Sequence, residues 1–356
     1  MQQNQPGSSG VARPDRAVPA SATECQGERR RLLVRWPAKA AVILANGYVL
    51  FFFSERVFWS FPRPNDSLAD LLLTWLVYSL LGWILLILVR RYRIASFLPL
   101  FLAGAVYGWI AEGLVVDTLY GSPGNPFPLS VSFTGLAWHA LLTVGVGWYL
   151  LSKALTARRP ARTILTSLAI GLGWGLWAAW WPSELGQQGA TSLPSFAGHA
   201  LVCSILFIGS WALLGRARSD WFQAGRLETG FLFGLVALIF LCARVPARPS
   251  AALILPPLLL LAAIGLRRSA GSENQPDLLD GFLGQIPLSN AFALVLIPLA
   301  AVATYAPFRL LGLYPATNMV LYLATMPLGF WFFFHAVWRH TVRGISRGYN
   351  GPQGID

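Results

Sequence analysis

The chain has 356 residues, of which 55% are hydrophobic and only 12% charged, about half the charged share of an ordinary soluble domain. A net charge of +12 would point to nucleic acid in a soluble protein, but here the basic residues sit in short segments between long apolar runs, which argues against nucleic acid and for a bilayer. Of the three cysteines, Cys25 precedes the first apolar run and Cys203 and Cys242 lie inside such runs, which excludes a disulfide framework or a Cys-x-x-Cys site.

Residues 1–38 are rich in Gly, Ser, Pro, Gln and Arg, the composition of a disordered basic tail. The run Glu28-Arg-Arg-Arg-Leu-Leu-Val-Arg35 leads straight into the first apolar stretch with no small-residue cleavage site, so an uncleaved first helix is expected. Ten stretches approach the roughly 20 residues that a bilayer-crossing helix needs: 40–58, 68–89, 94–116, 129–152, 163–182, 194–215, 227–243, 250–266, 286–305 and 316–338. The seventh, shortened by Arg244, and the eighth, with Pro256-Pro257, are the weakest. Ten spans place 22 of the 27 Lys and Arg on one side and 5 on the other. Basic residues are retained on the cytoplasmic side, so both termini are expected there. The predicted fold is therefore an all-α, polytopic bundle in the cell membrane.

No connection is large enough to fold alone. The link 216–226, with Trp221 and Phe222, divides a six-helix block (39–215) from a four-helix block (227–338) and a short tail (339–356), and it is expected along the membrane interface. Prolines 256, 257, 298 and 327 fall inside spans of the second block, as they commonly do in membrane helices. The 15 Trp, many near helix ends, fit interfacial belts, with Trp180-Trp181 beside Glu184 as the pair placed to hold a lipid or sugar. Glu55-Arg56 reads as a local ion pair, and His335 and His340 beside Arg339 as lipid-headgroup contacts.

Two neighbouring hairpins carry an acid at one end and a histidine on the returning helix. The first reads Tyr107-Gly-Trp-Ile-Ala-Glu112, then Gly135-Leu-Ala-Trp-His139-Ala-Leu. The second runs through Trp180-Trp-Pro-Ser-Glu184 to Phe196-Ala-Gly-His199-Ala-Leu. Ionisable groups at membrane depth are costly and mark sites by default. Asp117 and Glu184 lie at or beyond helix ends, where solvation is the simplest role, and a lone span histidine often just bonds a neighbouring helix. Glu112, between Ala111 and Gly113 inside an apolar span, needs a partner, and His139, His199 and Tyr107 are the candidates. The leading set is therefore Glu112, His139 and His199, with Tyr107, Asp117, Glu184 and Cys203 as polar neighbours. A glutamate of this kind activates water and a histidine supports a developing oxyanion. Two Glu and two His also match a divalent metal's ligands, but no His-Glu-x-x-His signature is present, so no metal and no cofactor is specified.

The order of one Glu, a His on the next helix and a second His two helices later resembles the CPBP family of CAAX prenyl endoproteases and bacteriocin-processing intramembrane proteases. Glu112 corresponds to the first glutamate of that family's Glu-Glu-x-x-x-Arg motif, Phe133-Thr-Gly-Leu-Ala-Trp-His139 is similar to its middle motif, and Ser192-Leu-Pro-Ser-Phe-Ala-Gly-His199-Ala-Leu-Val-Cys203 to its last. The likeness covers about residues 104–207. Gly113, Asp117, Gly135 and Cys203 stand where the family has Glu, Arg, Phe and Asn or Asp. The resemblance implies that Glu112 activates water while His139 and His199 stabilise the tetrahedral intermediate, on a membrane-embedded or lipidated substrate. The other expectations are a transporter or lipid and polyprenyl handler using the same groups as a protonatable pathway, and a non-catalytic assembly subunit.

Overall fold

A computed structural model describes residues 22–63, 66–122, 124–181, 191–272 and 274–348, with side chains described between Trp36 and Thr341. Among them the chain is helical, with one isolated bridge between Ser122 and Asn125. In chain order the elements are α1 (Ala22–Phe51, continued by the π-helical turn Phe52–Val57), α2 (Leu68–Arg91), α3 (Phe97–Ile110, continued by the π turn Ala111–Val115), α4 (Val131–Leu150, π-wound, with Leu151–Leu155), α5 (Pro160–Ala178), α6 (Leu193–Leu214), α7 (Arg226–Ile239, extended through Phe240–Arg244 and Val245–Ala247), α8 (Ala251–Arg268), the short α9 (Leu278–Phe282), α10 (Leu288–Leu310) and α11 (Thr317–Gly348).

Nine of the described helices are long and apolar enough to cross a membrane. The fifth expected span is α5, a 19-residue helix that packs along α10. Arg162 and the Gly- and Trp-rich sequence hold it below the apolarity of the other nine. Burial sorts the bundle into layers. In α3, 89% of the apolar window is inside the protein, against 11% in α7, so α3 is central and α7 peripheral. The first helix joins the centre, packing on α2, α4 and α6. Helices of the C-terminal block lie directly on those of the N-terminal block: α8 on α3, α11 on α4, and α10 on α5 and α6.

The helix of α1 begins at Ala22, inside the stretch read as a basic tail, and carries Pro37 within it. Residues 1–21 lie outside the described residues. The tryptophans are not chiefly a belt. Trp109, Trp148, Trp174 and Trp211 are fully buried, and indole N–H groups donate to carbonyls inside the bundle: Trp75 to Leu44 (3.0 Å), Trp138 to Phe53 (3.0 Å), Trp177 and Trp181 to Phe58 (2.5 and 3.1 Å) and Trp109 to Val131 (3.0 Å). A backbone carbonyl away from water needs a donor, and π winding at Phe52–Val57 and Val131–Leu150 shifts the regular partners. Trp180 and Trp181 stack at 4.3 Å, and Trp59 extends the stack on the other face of Trp181 at 5.2 Å.

The bundle end that carries the C-terminus of α2 is fastened by charge. Arg90 donates to both oxygens of Asp277 (2.9 and 3.0 Å), to Asp280 (2.6 Å) and to the Ser219 carbonyl (2.8 Å), which ties the longest loop to α2. Lys39 of α1 meets Glu228 of α7, whose other oxygen takes the Trp83 indole N–H at 2.5 Å.

Close helix approach is set by glycine where backbone meets backbone. A Cβ on Gly108 would sit 2.9 Å from the His139 Cβ and nearer still to the Gly135 carbonyl, so α3 and α4 touch only because that position is bare. Gly173 faces open space. Gly108→Ala is expected to destabilise the protein by about 1–3 kcal/mol through overpacking, and Gly173→Ala, with space for its methyl group, to stabilise it by up to about 1 kcal/mol; apparent Tm of purified protein in detergent checks both.

Candidate functional site

The site is assembled from three helices at points where the winding widens. Ser54 lies in the π turn ending α1, Glu112 in the π turn ending α3, and His139 in the π-wound α4. Such windings recur at functional positions because the inserted residue re-aims its neighbours. Glu112 is 7% exposed and His139 3%. The Nε2 of His139 lies 2.7 Å from Glu112 Oε1. The second carboxylate oxygen accepts the hydroxyl of Thr118, from the short turn that follows α3.

On the far side of the imidazole, Nδ1 is 3.1 Å from Ser54 Oγ. Ser54 Oγ is itself 3.0 Å from the Tyr107 hydroxyl and 3.3 Å from that of Thr143. With Glu112 as carboxylate, Nε2–H donates to it and Nδ1 accepts from Ser54. Every polar group in the chain Glu112–His139–Ser54–Tyr107 then has a partner. The Tyr107 ring stands edge-on to the imidazole at 5.5 Å and fixes its plane.

Glu112 also lines a cavity of 340 Å³ between α2 and the end of α3. Its walls include Glu55, Arg63, Thr74, Tyr78 and Val115. Glu55 accepts from the Tyr78 hydroxyl at 2.9 Å and from the Trp59 indole at 3.0 Å. The cavity thus brings two carboxylates, a guanidinium and a phenol to one end of the bundle, opposite the Arg90 end. Ser54 is enclosed by Tyr107, His139 and Thr143, so Glu112 is the member of the chain that meets the cavity. Behind the site, Phe53 and Trp138 turn to a second, apolar cavity of 410 Å³ lined also by Ile170, Trp174, Trp177 and Leu321.

The remaining expected residues lie elsewhere. His199 of α6 is buried, but its Nε2 sits 3.1 Å from the carbonyl of Arg56, and its ring lies 3.9 Å from Cys203 Sγ. Residues 54 and 56 lie on different faces of a helix, so the two histidines meet α1 at separate points. The acid–histidine contact forms within the first hairpin and does not bridge the two. Asp117 is exposed and pairs with Arg248 at 3.4 Å. Glu184 lies outside the described residues. Glu55 and Arg56 do not form the expected local pair. Consecutive side chains diverge on a helix: Glu55 turns to Tyr78 and Trp59, while Arg56 packs over the Phe51 ring at 5.0 Å and lies 3.8 Å from Asp66.

Sequence reading missed Ser54, Thr118, Thr143, Glu55 and Tyr78. The run Ser54-Glu-Arg56, three polar residues against an otherwise apolar span, was the available signal. Among the described residues no cluster of three or more His, Cys, Asp or Glu has the geometry to hold a metal ion. No protein-family model, curated protein or solved structure matches the chain.

Breaking one partner of a buried, hydrogen-bonded pair costs about 3–5 kcal/mol. Glu112→Ala and His139→Ala are each expected to destabilise on that scale, and the double variant to show a coupling of about 0.5–3 kcal/mol. Glu112→Ala with His199→Ala is expected to be additive to within about 0.5 kcal/mol. Equilibrium unfolding in detergent micelles measures both cycles.

Proposed function

We propose that the protein is an intramembrane hydrolase of Glu/His type that acts on a lipidated or membrane-embedded peptide, with both termini cytoplasmic and the site in the extracytoplasmic half of the bilayer. The observation that carries this reading is that Glu112, gripped at 2.7 Å by His139, forms part of the wall of a 340 Å³ cavity. Its carboxylate is oriented at both oxygens before substrate arrives, by His139 and Thr118, which is what a general base requires. Glu112 takes a proton from a cavity water as the water oxygen attacks the scissile carbonyl. The proton then passes to the leaving nitrogen as the C–N bond breaks, which restores the carboxylate. His139 holds the base in line, and Arg63 on the cavity wall, whose Nε donates to Asp66 at 3.1 Å, turns its remaining guanidinium N–H groups to the oxyanion. The apolar cavity behind Phe53 and Trp138 supports a substrate that carries a hydrocarbon chain. The order of Glu112, His139 and His199 along the chain, similar to CPBP proteases, agrees with this reading, although His199 does not join the dyad.

Protein reconstituted in liposomes is to be assayed with fluorescence-quenched peptides in farnesylated, acylated and unmodified forms. Turnover is expected with at least one lipidated form and is expected to fall by about 100-fold or more in Glu112→Gln, the usual scale for losing a general base. His335→Gln should match the wild type, since His335 stacks on Trp331 in α11 at 5.1 Å. Cleavage undiminished by Glu112→Gln, or no cleavage of any form by the wild type, overturns the proposal.

A second reading is favoured by the continuity of Glu112, His139, Ser54 and Tyr107, a hydrogen-bonded file of the kind that carries protons. It expects proton uptake into liposomes after a pH jump, abolished by Ser54→Ala, a substitution that leaves the cavity base in place.

A further inference from the structure

At the bundle end opposite the dyad, two adjoining cavities of 510 and 220 Å³ lie between the C-terminus of α2 and the start of α7, and both are lined by Arg91, Arg226 and Thr229. Arg90 and Arg93 complete the smaller one, with Gln223 and Ala224. Leu88, Tyr92, Gly230 and Phe233 complete the larger. The smaller space is cationic and the larger is apolar below a cationic rim.

The arginines differ in how they are used. Arg90 is consumed by Asp277, Asp280 and the Ser219 carbonyl, and Arg93 lies 3.7 Å from Asp277. The nearby Glu228 is taken up by Lys39 and Trp83. Among the described residues, Arg91 and Arg226 have neither a carboxylate nor a carbonyl partner. Two guanidinium groups therefore converge on one opening without protein acceptors, each with a rigid fork of donors suited to phosphate oxygens.

Depth decides which phosphate. Arg91 is the last residue of one membrane-length helix and Arg226 the first of another, so both stand at headgroup level. Leu88 and Phe233 lie about one turn and two turns farther into the membrane along their helices. A side chain on Gly230 would meet nothing within 4 Å, which leaves the cavity open along α7, the helix with only 11% of its apolar window inside the protein. Free phosphate would use the arginines and leave that apolar wall empty.

We propose that this paired cavity is a binding site for one anionic phospholipid, with its phosphate held between Arg91 and Arg226 and the first carbons of an acyl chain against Leu88, Gly230 and Phe233. It is independent of the dyad and of its proposed activity.

Native mass spectrometry of the full chain, released from detergent with added dioleoylphosphatidylglycerol, dioleoylphosphatidylcholine or sodium phosphate, tests it. The wild type is expected to retain phosphatidylglycerol over phosphatidylcholine. Removal of charge-assisted bonds is expected to weaken retention by about tenfold for each arginine in Arg91→Gln and Arg226→Gln. Arg267→Gln, at the end of α8, is the control and should bind like the wild type. No preference for phosphatidylglycerol in the wild type overturns the proposal whether or not the variants fold. Equal retention by folded variants overturns it as well, and displacement of the lipid by millimolar phosphate would identify the site as one for free phosphate instead.

Discussion

A carboxylate and an imidazole share a hydrogen bond at 2.7 Å in the interior of the bundle, and most of the surrounding geometry is arranged to permit it. A charge away from water is tolerated only with its partners in place. The bond therefore dictates how closely α3 and α4 approach, where the third helix must turn, and what α1 presents to them. The bare Gly108 lets the backbones touch. The π turn at Ala111–Val115 rotates Glu112 toward His139, and the π turn at Phe52–Val57 delivers Ser54 to the opposite nitrogen. Together they close one polar circuit inside an apolar protein.

The two ends of the molecule solve different electrostatic problems. Around Glu112 and Glu55 the acids are matched mainly by neutral donors from Thr118, Tyr78 and Trp59, with Arg63 as the cation on the wall. At the other end, basic residues outnumber the acids that meet them. Arg90 and Lys39 fasten loop and helix by ion pairs, while Arg91 and Arg226 line the adjoining cavities. Cations in the last turn of α2 also complement its C-terminal dipole, so part of the charge asymmetry serves helix stability.

The sequence made the architecture legible because apolar length is a one-dimensional signal. Nine expected spans appear as helices of membrane length, and α5 forms at the place of the other. Glu112 stood out for the same reason, as an acid in an apolar run, and His139 as the nearest imidazole on the returning helix. What could not be read is set by rotation about helix axes. His199 has the same local setting as His139, Gly or Trp followed by His-Ala-Leu, yet faces the Arg56 carbonyl. Ser54 is an ordinary small polar residue until a π turn aims it. Glu55 and Arg56 looked paired only because neighbours in sequence look close on a page.

The indole donors described above have a mechanical corollary. Carbonyls at Leu44 and Phe53 of α1, and at Phe58 just beyond its π turn, are gripped by tryptophans rooted in α2, α4 and α5 and the residues just beyond it. A rod clamped at three heights from different sides can neither slide nor spin without releasing several bonds at once. The first helix is thus pinned along its length, whereas α7, with 11% of its apolar window inside the protein, has few neighbours to hold it.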